Sequence, residues 1–217
     1  MVDATIKLAI YNEALSEFLG ERVLSSLTED RKPRRVLDKI WDRGVMDYCL
    51  ESGNWNFAML TVMGTYDPTL EPDFGFTYVF GKPSDWLRTC AISQDENFTA
   101  PLERFVDEAG YWYCDLQNIY VKYVSKDDSY GYDLSRWTQK FRTYVAAYIA
   151  LKACKPITGD KTDVEQLEKQ VKKALYSAKA HDALGEAAVR PPQGSWTRAR
   201  LGGKSRLYRT TNGYTGA

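Results

Sequence analysis

The sequence predicts an α+β fold, mainly helical: a four-helix bundle with a β-rich insert between helices 2 and 3 and an extended C-terminal tail. Three observations predict it. Apolar residues recur every three or four positions up to about Leu50, and the same spacing returns from Leu134, which is the period of a buried helix face. Between these stretches they come in short β-branched and aromatic runs; Ile119, Val121 and Tyr123 alternate against Tyr120, Lys122 and Val124 as in a half-buried strand. From Arg190 the chain holds five glycines, two prolines and six basic residues, a composition that cannot bury enough apolar surface to order itself. The divisions that follow are residues 1–54 (a first helical pair), 55–128 (the β-rich insert), 129–188 (a helical hairpin completing the bundle) and 189–217 (an extended basic arm).

In chain order, Asp3 caps a first helix running to about Leu19, with Ile6, Ile10, Ala14 and Phe18 on one face and Gly20 closing it. Val23 to Asp30 is a connector. A second helix opens between Asp30 and Pro33, where proline is tolerated in the first turn. Its stripe of Val36, Leu37, Ile40, Trp41, Val45 and Tyr48 ends at Gly53, the expected left-handed closing residue. Gly44 within the stripe costs about 1 kcal/mol against alanine and suggests close approach by a neighbour. Trp55 and Phe57 then mark the corner where the helical layer hands the chain to a sheet.

Strands are expected over Phe57–Met63, Phe76–Phe80, Trp86–Ser93, Arg104–Val106, Tyr111–Asp115 and Ile119–Ser125, with a loop at 66–75 around Pro68 and Pro72. The Asp107-Glu108-Ala109-Gly110 turn would join the fourth and fifth. Asp133 or Ser135 caps a third helix with Leu134, Trp137, Phe141, Tyr144, Val145, Tyr148 and Leu151 at helical spacing, stopped by Pro156 and Gly159. Thr162-Asp163-Val164-Glu165 fits a capping box opening a fourth helix to about Ala188. On its exposed face Glu165 and Lys169, and Glu168 and Lys172, stand as acid-before-base pairs.

Composition narrows the chemistry. A chain of 217 residues fits one domain, or one domain with an appendage, and buries roughly 70% of its extended surface on folding. No run of eighteen apolar residues occurs, and Asp3, Lys7, Glu13 and Glu17 interrupt the first twenty, so neither a membrane span nor a signal peptide is expected. Cys49, Cys90, Cys114 and Cys154 are scattered and read as buried free thiols. His181 is the only histidine, which excludes multi-histidine metal sites; near a helix end its imidazolium would be favoured by the helix dipole. No metal and no cofactor are expected.

The net charge is zero but unevenly spread. From Ala187 onward there are six basic residues and no acidic one, leaving the rest of the chain at minus six. Along that arm stand Trp196, Leu201, Leu207, Tyr208 and Tyr214. Aromatic and arginine side chains dominate binding energy at interfaces, so the arm reads as a segment that becomes ordered on a partner subunit.

Short motifs along the chain point to a family. They are Asn12-Glu13-Ala14-Leu15 with Gly20, Leu24-Ser25-Ser26-Leu27, Trp55-Asn56-Phe57-Ala58 and Pro83-Ser84-Asp85-Trp86-Leu87-Arg88. Phe141 with Ala146-Ala147-Tyr148-Ile149-Ala150, and Ser195-Trp196-Thr197-Arg198-Ala199-Arg200, complete the set. In this order and spacing the chain resembles the podovirus head-to-tail adaptors, also called tail tubular protein A. The resemblance spans nearly the whole chain and is weakest over 65–75 and 93–109.

It implies a non-enzymatic ring, usually of twelve copies, in the neck of the virion of a short-tailed bacteriophage, assembled in the host cytoplasm. Such a ring attaches below the portal protein, offers a platform to the tail nozzle protein (tail tubular protein B-like), and lets DNA pass without sequence-specific binding and with no membrane contact. The resemblance also implies that the C-terminal extension reaches the portal. Trp196, Arg198 and Arg200 match that motif; with Leu201, Leu207, Tyr208 and Arg209 on the same arm they are the expected portal-binding residues. An acidic body suits a channel for DNA, since a basic lumen would gain affinity by releasing counterions and hold the duplex.

Rival chemistry is thinner. Gly203-Lys204-Ser205 looks like the end of a phosphate loop, but Arg198 occupies the position where the pattern needs its first glycine. Asp107 and Glu108 are adjacent in a turn and lack the separation a glycosidase pair spans across a sugar ring. The stronger alternative is a nucleic-acid-binding protein in which the basic aromatic tail tracks phosphates and stacks on bases.

Overall fold

The computed structural model describes residues 2–72, 74–159 and 164–185. They form α1 (Val2–Glu13), continued by a π-helical turn (Ala14–Phe18), then α2 (Lys32–Trp41) and α3 (Val45–Glu51). Six strands follow: β1 (Met59–Thr65), β2 (Tyr78–Gly81), β3 (Trp86–Ser93), β4 (Val106–Glu108), β5 (Tyr111–Cys114) and β6 (Asn118–Ser125). A 3-10 turn (Leu134–Arg136) leads into α4 (Gln139–Thr158), and α5 (Val164–Ala183) closes the described chain.

The four-helix bundle is not what forms. Among the described residues there are five α-helices and two three-stranded antiparallel sheets, a mixed α/β architecture. The division at Gly44 is the physical reason for the extra helix. Its φ of 86° is left-handed, so the expected second helix breaks there into α2 and the short α3. Among the described residues a Cβ on Gly44 would meet nothing within 4 Å, so the glycine serves the break and not a close approach. Gly53 reverses in the other direction: it is not among the residues with positive φ, and a Cβ there would lie 2.9 Å from the Trp55 ring. Close approach, not a left-handed cap, is what requires glycine at 53.

The corner at Trp55 is a turn, with the N–H groups of Ala58 and Met59 both donating to the Trp55 carbonyl at 2.9 and 3.0 Å. That turn delays the first strand from the expected Phe57 to Met59. The Trp55 indole is buried against Phe141 (ring centroids 4.7 Å apart) and donates from Nε1 to the Cys49 carbonyl at 3.0 Å. Phe57 packs on the same ring of Phe141, at 5.0 Å. The third helix also starts later than expected. Asp133 caps only the 3-10 turn, accepting from Ser135 N–H, and Thr138 caps α4, accepting from Phe141 N–H at 3.3 Å.

In the first sheet β6 lies between β1 and β3, with Val121 opposite both Val62 and Ile92. In the second, β5 lies between β2 and β4. The β4–β5 hairpin turns through Ala109 and Gly110, whose φ values of 50° and 85° are those of a two-residue type I′ turn. Phe80, Ile92, Trp112, Cys114, Ile119 and Val121 form the buried cluster of this region. Val124 turns instead into the larger cluster of the helices, where Leu87 and Cys90 also pack.

Candidate functional site

The residues singled out on the arm, Trp196, Arg198, Arg200, Leu201, Leu207, Tyr208 and Arg209, all lie outside the described residues. So do Thr162 and Asp163 of the expected capping box. What is described is the base from which the arm departs. Asp182, in the last turn of α5, is only 8% exposed, and its two carboxylate oxygens accept the Asn56 N–H at 3.2 and 3.0 Å. Asn56 Nδ2 donates in return to the Asp182 carbonyl at 2.9 Å. This joint was missed from sequence, although a signal was present: a carboxylate in the last turn of a helix opposes the helix dipole and needs another partner. His181, beside it, does lie in the last turn of α5.

Other joints are of the same kind. Asn12 Oδ1 accepts from Leu24 N–H at 2.7 Å and Nδ2 donates to its carbonyl at 3.0 Å, fastening the connector to α1. Arg88 on β3 donates to the Gly53 carbonyl at 2.9 Å and also to Asn54 Oδ1. Asp85 accepts from the hydroxyls of Tyr123 and Ser125 on β6.

The carboxylate weighed as a catalytic acid is fully engaged. Asp107 forms an ion pair with Lys82, whose side chain is 6% exposed, and accepts from Thr89 Oγ1 and from Trp112 Nε1 at 3.2 Å. The Lys82 ammonium sits 3.8 Å from the Trp86 ring centroid. Partial burial works to raise the Asp107 carboxyl, but the Lys82 and Thr89 hydrogen bonds, the Lys82 charge and the indole N–H hold it below the usual carboxylate range. Glu108 is exposed at the hairpin, so the two acids do not converge on a shared space. All four cysteines are unpaired; Cys49, Cys114 and Cys154 are buried and Cys90 is half-buried. Burial pushes the Cys49 thiol far up, which keeps it a protonated, inert core group.

The surface is divided by charge. Residues 55–128 carry twelve acidic and five basic side chains, whereas residues 129–188 carry ten basic and seven acidic ones. On α5, which buries Leu167 and Ala178, the opposite face exposes Lys169, Lys172, Lys173 and Lys179 around Tyr176, itself 72% exposed. The expected pairs Glu165–Lys169 and Glu168–Lys172 are not among the ion pairs of the described residues. Beside this face a groove of about 310 Å³ runs between Phe18, Lys140 and Thr143 on one side and Lys173, Ala174 and Ser177 on the other. On the second sheet Tyr111 and Tyr113 turn to the face opposite Trp112, with Phe74 packed on Tyr113 at 5.1 Å between centroids.

Against this geometry, no family model matches the chain, and no curated protein matches it either. No helix among the described residues is long and apolar enough to cross a membrane.

Proposed function

We propose that this chain is the structural head-to-tail adaptor of a short-tailed bacteriophage, in which a ring of copies, twelve by the family resemblance, joins the portal protein to the tail nozzle protein and leaves a channel for DNA. The observation that carries the reading is the placement of the motif residues. Asn12, Asn56, Asp85 and Arg88 belong to the motifs behind the resemblance, and each fastens one element to another through paired or charge-assisted hydrogen bonds. A ring body that transmits load between two machines needs such fixed joints. The Asp182–Asn56 joint also gives the arm a fixed point of departure, from which Trp196, Arg198, Arg200, Leu201, Leu207, Tyr208 and Arg209 engage the portal, with the virion neck as the place of work.

The test is attachment to the purified portal protein. Removing residues 190–217 should abolish attachment while the far-UV circular dichroism and unfolding midpoint of the remainder stay unchanged. Trp196→Ala in the full chain should weaken attachment by on the order of 2 kcal/mol or more per subunit. If the deletion instead leaves portal attachment intact and removes a steeply salt-dependent affinity for DNA, the arm is a nucleic-acid-binding segment and the adaptor reading fails.

A further inference from the structure

We infer that the lysine-and-tyrosine face of α5, with the groove beside it, docks the acidic β-rich insert of a second copy of this chain. The inference rests on the ring proposed above and names the two surfaces that would build it. Four lysines on one helix face, Lys169, Lys172, Lys173 and Lys179, have no ion-pair partner among the described residues. In the insert, Glu71, Glu96, Glu103 and Glu108 are exposed and equally without one. The two elements therefore differ in the sign of their excess: among the described residues α5 exposes these four lysines against Glu165 and Glu168, whereas the sequence of the insert carries twelve acidic side chains to five basic ones.

Each side also offers apolar contact. Tyr176 stands exposed at the centre of the lysines, and the groove beside them adds Phe18 and Ala174. In the insert, Glu108 lies directly across from Tyr111 in the β4–β5 ladder, and Phe74 and Met63 are 41% and 55% exposed. Charged rims around aromatic and apolar contacts are the usual anatomy of a specific interface. Because the two surfaces differ, like faces repel and unlike faces attract, which selects head-to-tail contact over pairing of one patch with itself.

A charge-exchange experiment on the full chain tests it, read by sedimentation at low and moderate salt. Lys172→Glu with Lys173→Glu should weaken self-association about 100-fold, as should Glu103→Lys with Glu108→Lys, each leaving the unfolding midpoint unchanged. Mixing the two variants should restore association, because each then presents the complement of the other. Wild-type association in either variant, or a mixture that stays dissociated, overturns the inference while leaving a ring possible through other faces. A restored species that is only ever a dimer keeps these faces as partners and sinks the ring. If the lysine variant loses affinity for duplex DNA and associates normally, α5 is a nucleic-acid surface and the inference falls. A wild-type chain that stays monomeric both alone and with its portal removes inference and ring together.

Discussion

In the helical part of the fold the buried side chains form one cluster, running from Tyr11 and Trp41 through Trp55 to Trp137, Phe141 and Tyr144, with Ala146, Ala150 and Ala153 of α4 and Ala178 of α5 among its members. In the insert the buried cluster has six members, and carboxylates supply much of the remaining cohesion. Asp107 gathers Lys82, Thr89 and Trp112; Asp95 gathers Ser93, Thr99 and the Ala100 N–H; Asp85 gathers Tyr123 and Ser125. The difference teaches where each region tolerates change. Apolar burial is indifferent to pH and sensitive to volume, whereas a carboxylate network responds to protonation and keeps acidic residues on a small sheet that a larger core would not need.

The largest expected effect is on the side held by volume. Trp55→Ala removes an indole packed on Phe57, Phe141 and Tyr144 and strands the Cys49 carbonyl it satisfied. It should cost about 3–5 kcal/mol, read as a lowered urea midpoint at unchanged slope. A loss below 1 kcal/mol would mean that the helical cluster is not organised around this residue.

Much of this contrast was legible in the sequence, and the failures have physical causes. The aromatic corner, the strand from Trp86 to Ser93 and the period of α4 and α5 follow from spacing, because a half-buried element must repeat its apolar residues at its own pitch. The turn expected over Asp107–Gly110 shortens to Ala109 and Gly110, because Asp107 and Glu108 pair with Trp112 and Tyr111 as part of β4. The helix count did not follow. A glycine in a helical stripe is compatible with a close neighbour or with a left-handed break, and at Gly44 only the backbone shows which one holds. The joints were equally hidden, since Asn56 and Asp182 are 126 positions apart and neither belongs to a local pattern. The charge division was present in the sequence as a count, but that four lysines of one helix face have no ion-pair partner among the described residues, Glu165 and Glu168 included, is visible only in the structure.

A middle-sized effect is expected where the two regions meet. Asp182→Ala leaves the Asn56 N–H without the carboxylate that accepts it, while the bond from Asn56 Nδ2 to the residue-182 carbonyl can persist, which should cost about 1–3 kcal/mol. Hydrogen exchange should show the loss as faster exchange in the last turn of α5 and in the Trp55–Ala58 turn, with α2 unaffected. If protection falls evenly over the whole chain, the joint is part of the common core and not a local fastening.

The smallest effects are those of pH, and here the two regions should separate by sign. Hydrogen bonds from Thr99, Ser93 and the Ala100 N–H hold the Asp95 carboxyl far below its usual range, and Asp107 is held low by the groups described above. A depressed carboxyl contributes fully above its unfolded value of about 3.9 and loses that contribution as pH falls through the folded value. The insert should therefore loosen first in acid, with amide protection in β2, β4 and β5 falling as pH drops below about 4 while α4 keeps its own. Glu29 and Asp133 are also held low, but they sit in a connector and at the cap of a 3-10 turn, outside the helical cluster. The helical region responds at the other end of the scale. Burial raises Tyr11 and Tyr144, and burial with the neighbouring Tyr48 pushes Tyr148 up to about 12. A raised tyrosine contributes fully below its unfolded value of about 10 and loses that contribution as pH rises. Tyr123, on the strand shared with the helices, is raised by burial and by Asp85. Ionisation of these buried tyrosines should thus coincide with loss of the Trp55 environment above pH 10. Acid loosening that begins in α4, ahead of the insert, would show that the carboxylate networks contribute less than the small apolar cluster they surround.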